Sequence, residues 1–328
     1  MLAAWFESFG AAKDVLQVGE TDTPTAAAGE VLVRIRTSGV NPSDVKKRAG
    51  SFPALLDGGF VIPNSDGAGT IEAVGEGVDA DRIGERVWIY QAQFARRFGT
   101  AAEYVAIDAS RAPRLCDNAS FEVGACLGIP VMTAHRAVFA DGDVAGQTIL
   151  VTGGAGRVGY YAIQWASQAG ATVIASASNE LDKTACEKAG AQFVVNHRDE
   201  DFAGQIMTAT GGELVDRVVD VEFGSNLPVS VEVLRVGGVI ATYSSTQIPE
   251  PRLPFFQMMY KDLTIRAIIV YAMPEQAKQQ AISDIESALS RDTLQHRINQ
   301  TLPLSDIANS NEIIEQGRIR GAVILSID

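Results

Sequence analysis

Three glycines between a β-type run and a helical pattern are the residues of this chain best suited to chemistry. The apolar run covers residues 148–152, and Gly154, Gly156 and Gly159 follow it with the spacing G-x-G-x-x-G. In a strand–turn–helix setting, such glycines allow a tight turn, a close approach of the backbone to a pyrophosphate, and close packing of helix on strand. The start of the helix adds unpaired N–H groups and the positive end of its dipole. A glycine-rich turn can also bind nothing, but this context predicts a dinucleotide site made of Gly153, Gly154, Ala155, Gly156, Arg157, Val158 and Gly159.

The tip of the next strand indicates which dinucleotide this is. An NAD site usually has Asp or Glu there, about 20 residues beyond the first glycine, to bind the ribose hydroxyls. No carboxylate stands at the end of the strand 172–176. Hydroxyl, amide and basic side chains follow instead: Ser176, Ser178, Asn179, Lys183 and His197-Arg198. These donors suit a 2′-phosphate and predict NADPH. Ser178-Asn179 could also be the N-cap of the next helix, and the two roles are compatible.

The elements around these residues divide the chain by pattern. Up to residue 121, short β-type runs alternate with Gly, Pro and Asp turns, and Val31, Val33 and Ile35 show the period of a strand. From 122 to 271, helical patterns separate six strands near 148–152, 172–176, 193–196, 215–220, 238–243 and 264–270. This alternation predicts an α/β fold with a doubly wound parallel sheet. A helix over 274–290 and a final apolar strand are too little for a third domain. We therefore expect residues 272–328 to return to the domain formed by 1–121.

Composition restricts the partners. The chain has 328 residues, 46% of them hydrophobic, and a formal net charge of −13, which opposes binding to nucleic acid or anionic membranes. The densest basic run, Lys46-Lys47-Arg48, is expected to be a solvated surface. The N-terminus lacks the features of a signal peptide, and no run approaches the roughly 20 apolar residues of a membrane span. The three cysteines have no metal-ligand spacing and suit a reducing compartment, so we predict a cytoplasmic protein.

Several blocks in one order carry a resemblance to a known family. They read EVLVRIRTSGVNPSD, IPNSDGAGTIEAVGEGV, GERVW, GTAAEYV, LGIPVMTAHRAV, the glycine turn, GAQFVVNHRDE and GAVIL. Nearly end to end, the chain resembles the zinc-independent quinone oxidoreductases, the zeta-crystallin-like branch of the medium-chain dehydrogenase/reductase superfamily. The resemblance implies a GroES-like catalytic domain, a Rossmann domain, NADPH in the cleft between them, and homodimers that pair the last Rossmann strands.

The resemblance also bears on metal. Zinc-dependent relatives place Cys after the GV of the first block and a His-Glu pair in the second, where this chain has Asn41 and Ser65-Asp66. The cysteine-rich loop for structural zinc is missing as well. Neutral Asn and Ser are poor substitutes for thiolate and imidazole, so we expect no zinc.

Without zinc, the choice of chemistry narrows. None of the seven tyrosines is followed four residues later by Lys, as in short-chain dehydrogenases, and the three histidines form no obvious relay with a nucleophile. What remains is hydride transfer in which the cofactor does the difficult chemistry and the protein aligns the acceptor. Quinones suit this, because their reduced oxygens can take protons from water. Polarised C=C bonds of enones and alkenals suit it almost as well. A non-catalytic NADPH-binding protein, crystallin-like or a sensor, is the alternative of another class.

By resemblance, some residues should lie near the nicotinamide. Asn41 would contact the nicotinamide ribose and Thr133 would face the cofactor, although a turn at Asn41-Pro42 and a buried threonine at a helix start are equally plain interpretations. Backbone groups near the ends of the fifth and sixth strands would bind the ribose and the carboxamide, unless these residues pack in the core. They are Tyr243, Ser244, Ile269, Val270 and Tyr271.

Three aromatic residues, Phe52, Phe94 and Phe98, are candidates for an apolar wall of a quinone pocket, although such residues are more often core. Three positions depart from the relatives. Phe52 and His197 stand where many of them have Tyr, and Arg157 stands where another Gly is common. Arg157 adds a cation beside the phosphate turn, or it pairs with an acidic residue.

Overall fold

A computed structural model describes residues 1–327 and divides the chain into two compact units. The first unit is Met1–Ile129 together with the chain from Ile282 onward, and the second is Pro130–Ala281. From the sequence, the boundaries were predicted at 121/122 and 271/272. The difference arises because residues 122–129 fold with the first unit, and because the boundary near residue 281 falls within a helix.

The first unit is mostly β. Its main sheet runs in the order β13-β14-β3-β4-β5, and β6 also pairs with β3. The strands are β3 Glu30–Val40, β4 Asp66–Val74, β5 Arg86–Ile89, β6 Tyr104–Asp108, β13 Ile298–Pro303 and β14 Ala322–Ser326, with a separate hairpin of β1 Leu2–Trp5 and β2 Gln17–Glu20. Its helices are α1 Ala12–Val15, α2 Pro42–Arg48, α3 Phe121–Gly124 and α11 Ile307–Gln316.

The core of this unit follows from the period of the strands. Val31, Val33 and Ile35 are buried on one face of β3, as the alternation predicted. The last strand, β14, pairs antiparallel with β3, with Val323 opposite Val40. The C-terminal segment thus returns to the unit formed by the N-terminal one, and Val323 and Leu325 join its core.

The second unit is a doubly wound parallel sheet in the order β12-β11-β10-β7-β8-β9. The strands are β7 Thr148–Val151, β8 Thr172–Ser176, β9 Phe193–Val195, β10 Val215–Asp220, β11 Leu234–Thr242 and β12 Thr264–Ala267. The helices are α4 Met132–Phe139, α5 Arg157–Gln168, α6 Glu180–Lys188, α7 Phe202–Ala209, α8 Phe223–Val233 and α9 Phe255–Tyr260, and α10 Glu275–Ser290 contains the unit boundary. All strand pairs of this sheet are parallel, and the predicted fold class is confirmed.

The strand order reverses between β7 and β10, since the chain builds the sheet outward from β7 to β9 and then returns to β10. In open α/β sheets, ligands bind beyond the carboxyl ends of the strands at such a reversal. Among residues 1–327, the structure has no helix that is long and apolar enough to cross a membrane.

Candidate active site

The glycine turn lies at the carboxyl end of β7, beside the reversal of strand order. Gly153 has a φ of +59°, a left-handed conformation that favours glycine. Its N–H donates to Ser176 Oγ at 3.0 Å, and Gly154 N donates to the Ser176 carbonyl at 3.0 Å. These two bonds tie the turn to the tip of β8.

Close packing explains two of the glycines. A Cβ on Gly154 would lie 2.9 Å from Ala175 Cβ, and a Cβ on Gly159 would lie 2.4 Å from the Gly153 carbonyl oxygen. Gly156 is the N-cap of α5, and no side chain caps this helix. Ala155 is buried, and Arg157 and Val158 lie half-buried beside Gly156. The start of α5 therefore keeps the dipole and the N–H groups that an anion can bind.

The tips of β8 and β9 are adjacent, because Ser176 pairs with Val195 in the sheet. Ser176 is buried, and its hydroxyl is the acceptor for Gly153 N, so this side chain shapes the turn. Asn179 caps α6, since its side-chain oxygen accepts from Asp182 N at 2.9 Å. Ser178 is half-buried between them. The N-cap interpretation of this segment is thus observed directly.

Basic side chains surround these tips. Lys183 lies on the first turn of α6, and His197 and Arg198 come one residue after the end of β9; all three are exposed. Within residues 1–327, neither Lys183 nor Arg198 forms an ion pair. The packed glycine turn, the uncapped helix start and these two cations fit a dinucleotide with a 2′-phosphate.

Asp220 is a residue of this edge that the sequence analysis missed. It ends β10 and is fully buried, and its Oδ1 accepts from Thr152 Oγ1 at 2.7 Å, Asn226 Nδ2 at 2.7 Å and Glu222 N at 3.1 Å. Burial raises the pKa of this carboxyl. Asp220 thereby links Thr152, the residue before the glycine turn, to Glu222 and Asn226 at the start of α8 through hydrogen bonds. Its signal in the sequence is its position at the tip of a strand, as for Ser176 at the tip of β8.

The other candidates of the second unit follow its last strands or lie on α4. Thr133 is buried on α4. Tyr243 N donates to the Asp220 carbonyl at 3.2 Å, and the Ser244 carbonyl accepts from Phe223 N at 2.9 Å, so these two backbone groups are already used inside the unit. Beyond β12, Ile269 is exposed, whereas Val270 and Tyr271 are buried.

A cluster of buried polar residues lies in the first unit, and we call Asn41, Asp44, Lys47, Ser65, Asp66 and Gln93 the polar cluster. Each is at most 5% exposed. Asn41 precedes α2, and its N–H donates to Asp44 Oδ2 at 2.9 Å. Its side-chain Nδ2 donates to Asp66 Oδ2 at 2.9 Å, an atom that also accepts from Ile129 N at 2.8 Å.

Lys47 connects the rest of the cluster. Its Nζ donates to Ser65 Oγ at 3.1 Å and to the Gln93 carbonyl at 2.9 Å. Burial lowers the pKa of Lys47, against the effect of the carboxyl groups of Asp44 and Asp66, which raise it. Burial likewise raises the pKa of Asp66 to about 8. Of this cluster, Asn41, Lys47, Ser65 and Asp66 were named from the sequence, but only Asn41 was assigned a chemical role.

The expectation of a solvated basic run at residues 46–48 was wrong. Lys46 is exposed, but Lys47 and Arg48 are buried on the inner face of α2. Arg48 donates to Asn311 Oδ1, to the Gly10 carbonyl and to Glu315. These partners of Arg48 lie in segments distant in sequence, so the run Lys46-Lys47-Arg48 gives no indication of them.

The aromatic candidates lie in different environments. Phe52 and Phe94 are exposed. Phe98 packs on Phe60 with ring centroids 5.5 Å apart, and the Arg97 guanidinium lies 4.9 Å above its ring. Phe98 also contacts the core of the first unit, which is the alternative that the sequence analysis had left open.

No group of three or more His, Cys, Asp or Glu side chains that could hold a metal ion occurs in the described part of the chain.

The candidate site residues fall into two groups, one in each unit. The glycine turn, Ser176, Asn179 and the basic residues after β8 and β9 lie at one edge of the second unit. Asn41 and the polar cluster belong to the first unit.

Comparisons with known proteins agree with this architecture. The family model "Alcohol dehydrogenase GroES-like domain" matches residues 27–117, and the model "Zinc-binding dehydrogenase" matches residues 158–287. Rat quinone oxidoreductase is 30% identical over 325 residues, which cover 97% of this chain and 95% of the relative. An alcohol dehydrogenase of Geobacillus stearothermophilus is 28% identical, and the match covers 100% of both proteins.

Solved structures give the same result. The mycobacterial protein Rv1454c, complexed with NADPH, has a TM-score of 0.88 and 25% identity, with 99% of this chain and 100% of that one covered. Escherichia coli quinone oxidoreductase, also complexed with NADPH, shares the fold with a TM-score of 0.87, 24% identity and coverage of 99% and 100%. The chain is therefore an NAD(P)-dependent oxidoreductase that belongs to the quinone oxidoreductase family of the medium-chain dehydrogenase/reductase superfamily.

Proposed function

We propose that this protein reduces quinones with NADPH and without a metal ion. The observation that carries the proposal is the end-to-end similarity to a quinone oxidoreductase, 30% over 97% of the chain. NADPH is the cofactor, in line with the solved relative at 25% identity that is complexed with it. When bound, NADPH supplies a hydride, and the protein holds the cofactor and the acceptor in place.

The residues at the edge of the second unit have separate tasks in this proposal. The start of α5 and the glycine turn would bind the pyrophosphate through backbone N–H groups. Lys183 and Arg198 would bind the 2′-phosphate, because they are exposed cations beside the tips of β8 and β9. His197 would lie against the adenine.

The nicotinamide end is assigned by the resemblance alone. Asn41 would bind the nicotinamide ribose, with its amide held by Asp66. Thr133 would face the cofactor. Backbone groups of Tyr243-Ser244 other than Tyr243 N and the Ser244 carbonyl, together with those of residues 269–271, would bind the ribose and the carboxamide. Phe52 and Phe94 remain candidates for the wall of the acceptor pocket, because both side chains are exposed.

Independence from metal is supported by the chemistry of the polar cluster. Where zinc-dependent relatives have Cys and His, this chain has Asn41 and Ser65, whose neutral oxygen and nitrogen atoms are engaged with Asp66 and Lys47. Elemental analysis of purified protein should find far less than one zinc per chain, and activity should survive a chelator. Stoichiometric zinc that is lost together with activity would contradict this part of the proposal.

The decisive experiment follows the oxidation of NADPH with a panel of quinones, enones and alkenals. We expect the highest kcat/KM with quinones. Faster turnover of the enones and alkenals would make the protein a C=C reductase instead. Tight NADPH binding without turnover of any acceptor would make it a non-catalytic binding protein.

We also propose that the protein is a cytoplasmic homodimer. Its three cysteines are free thiols, which suits a reducing compartment. The strand β12 ends the parallel sheet, so its outer edge offers backbone groups to a second copy.

A further inference from the structure

The second unit contains a buried carboxyl group that its hydrogen bonds alone do not require. Asp220 ends β10 and is 0% exposed. Its Oδ1 accepts from Thr152, Glu222 N and Asn226, whereas its Oδ2 is buried without a hydrogen-bond partner among residues 1–327. An asparagine could accept the same bonds, and it would avoid the cost of burying an ionisable group. The acid at this position therefore indicates an electrostatic role.

A second carboxyl group lies two residues further along the chain. Glu222 is half-buried, and its carboxylate accepts from Thr246 N at 3.0 Å and from Gln247 N at 2.8 Å. Both donors belong to the segment that follows β11. Glu222 thus ties that segment to the tip of β10, close to Asp220.

Positive charge is missing from this part of the edge. The segments that follow β10, β11 and β12, residues 221–226, 243–248 and 268–273, contain no lysine, arginine or histidine. Lys183 and Arg198, in contrast, lie beside the tips of β8 and β9. The charge of the edge therefore becomes more negative on the side of β10.

The side of β10 is where the nicotinamide half of a dinucleotide belongs. A dinucleotide lies across the reversal of strand order, and its adenosine ribose binds at the tip of the second strand, which here is β8. The other half then lies over the tips of β10, β11 and β12. Asp220 is next to a residue that is proposed above for that half, because its carbonyl accepts from Tyr243 N at 3.2 Å.

The two redox forms of the cofactor differ in charge in this half. The nicotinamide ring of NADP⁺ is positively charged, whereas that of NADPH is neutral. Resting on the NADPH site of the proposed function, we propose that Asp220 is the counter-charge of the nicotinamide ring, and that its ionised carboxyl group strengthens the binding of NADP⁺ relative to NADPH. Asp220 thereby also favours hydride transfer, since positive charge develops beside it.

Burial makes this carboxyl group effective, because water and salt screen a charge inside the protein less than one on the surface. Burial raises the pKa of Asp220, and the carboxyl group of Glu222 raises it further, whereas the hydrogen bonds from Asn226, Thr152 and Glu222 N lower it. On the neighbouring strand, burial and Asp220 both raise the pKa of Tyr243, whose hydroxyl therefore stays neutral. The charge at this tip is carried by Asp220 and Glu222.

The test measures the Kd of the full-length protein for NADP⁺ and for NADPH in the absence of an acceptor. Asp220→Asn keeps the shape of the side chain, and its Oδ1 can accept the same hydrogen bonds. This variant should raise the Kd for NADP⁺ at least about fivefold, a small part of what two unit charges can contribute at an effective dielectric constant of about 20. The Kd for NADPH should stay within about twofold of the wild-type value, because the reduced ring is neutral.

Asp216→Asn is the matched control. Asp216 lies near the opposite end of the same strand, where its carboxyl group pairs with Arg235 and accepts from Thr148 N at 2.7 Å. Removal of this charge should leave the ratio of the two Kd values unchanged.

The pH dependence of the wild type is a second measurement, which needs no variant. Asp220 loses its proton as the pH rises, so NADP⁺ should gain affinity relative to NADPH between about pH 5.5 and about pH 8.5. The 2′-phosphate also titrates, near pH 6, but both forms of the cofactor carry it and its effect cancels in the ratio. Asp220→Asn should remove the dependence of this ratio on pH.

The outcomes distinguish the two proposals. Equal changes of both Kd values in Asp220→Asn would show that the residue only shapes the turn, and they overturn the counter-charge, as do two unchanged Kd values or a wild-type ratio that does not vary with pH. Because no acceptor is present, a protein that shows the expected ratios but reduces no quinone contradicts the proposed function and supports the counter-charge. A protein that binds neither form of the cofactor overturns both.

Discussion

At the scale of single residues, Asp66 shows how burial decides chemistry. Its Oδ2 accepts two hydrogen bonds, from Asn41 Nδ2 and Ile129 N, while Oδ1 lies against Gly128, where a Cβ would be only 2.1 Å away. With a pKa of about 8, the carboxyl keeps its proton at neutral pH. A neutral Asp66 can hold Asn41 through Oδ2 without placing a full negative charge in the core.

Asp66→Asn should therefore remove a pH dependence of stability. The pKa of Asp66 in the folded state lies near 8, above its ordinary value of 3.8, so wild-type stability is complete at low pH and declines as pH rises from about 4 towards 8. Asparagine can keep both bonds through its Oδ1 but does not titrate. Between pH 5 and pH 7, the unfolding free energy of the variant should rise relative to wild type by about 3 kcal/mol.

Urea unfolding at several pH values measures this difference. Asp108→Asn is the control, because hydrogen bonds from Ser110 hold the pKa of Asp108 below its usual range and outside this window. A constant difference between Asp66→Asn and wild type from pH 5 to pH 7 would show that Asp66 is ionised in the folded protein.

Lys183 decides the choice of cofactor in our proposal. It is exposed at the start of α6 and is predicted to pair with the 2′-phosphate, which NADH lacks. We expect NADPH to bind at least about tenfold more tightly than NADH, a difference of about 1.4 kcal/mol, and Lys183→Ala to narrow that gap. Calorimetry with both cofactors measures it, and Lys188→Ala, in the last turn of α6, is the control. Equal affinities of the wild type for the two cofactors would refute the assignment.

At the scale of elements, the turn between β7 and α5 depends on how tightly its glycines pack. The three glycines have the same sequence signature but different surroundings. A Cβ would lie 2.4 Å from the Gly153 carbonyl oxygen at position 159, but 3.0 Å from the same oxygen at position 156. Only the structure shows that position 159 has no room for a Cβ, whereas position 156 could accept one with a small shift of its neighbour.

Gly159→Ala should therefore be much more disruptive than Gly156→Ala. The helix or the turn must shift to admit the Cβ, which should lower the unfolding free energy by about 1–3 kcal/mol and weaken NADPH binding. Thermal unfolding and cofactor titration of both variants make the comparison. Similar melting temperatures for the two variants would contradict the packing argument.

The helix α2 shows what spacing could have revealed. Asn41, at the N-cap of α2, and Asp44 and Lys47, on the helix, recur every three residues and all belong to the polar cluster. This period was visible in the sequence. Their partners were not, because Ser65, Asp66 and Gln93 come from two other segments that only tertiary folding brings to α2.

At the scale of the whole molecule, an apolar surface lies on α9. Phe255, Phe256 and Tyr260 are 65%, 65% and 75% exposed, unusual values for large aromatic side chains in one helix. The helix directly precedes β12, the edge strand of the parallel sheet. This surface supports the proposed homodimer, because pairing of the edge strands would bring the two sheets together.

Phe256→Glu should convert the dimer to a monomer at micromolar concentration. An unpaired charge that is buried in an apolar dimer interface lowers the free energy of association strongly. Size-exclusion chromatography with light scattering measures the mass. Leu181→Glu, at a position that is 84% exposed on α6, is the control and should remain dimeric. A monomeric wild type, or a variant that stays dimeric, would refute the assignment of this surface.

The sequence by itself determined the alternation of strands and helices in the second unit, the inward face of β3 and the position of the glycine turn. These follow from local periods and from the few residues that a tight turn admits. The tertiary structure decided the rest. It turned the Ser176 hydroxyl inward to Gly153, placed β14 beside β3, and buried Lys47 and Arg48, which the sequence suggested were solvated. Burial, pKa and hydrogen-bond partners depend on residues far apart in the chain, and no local pattern encodes those contacts.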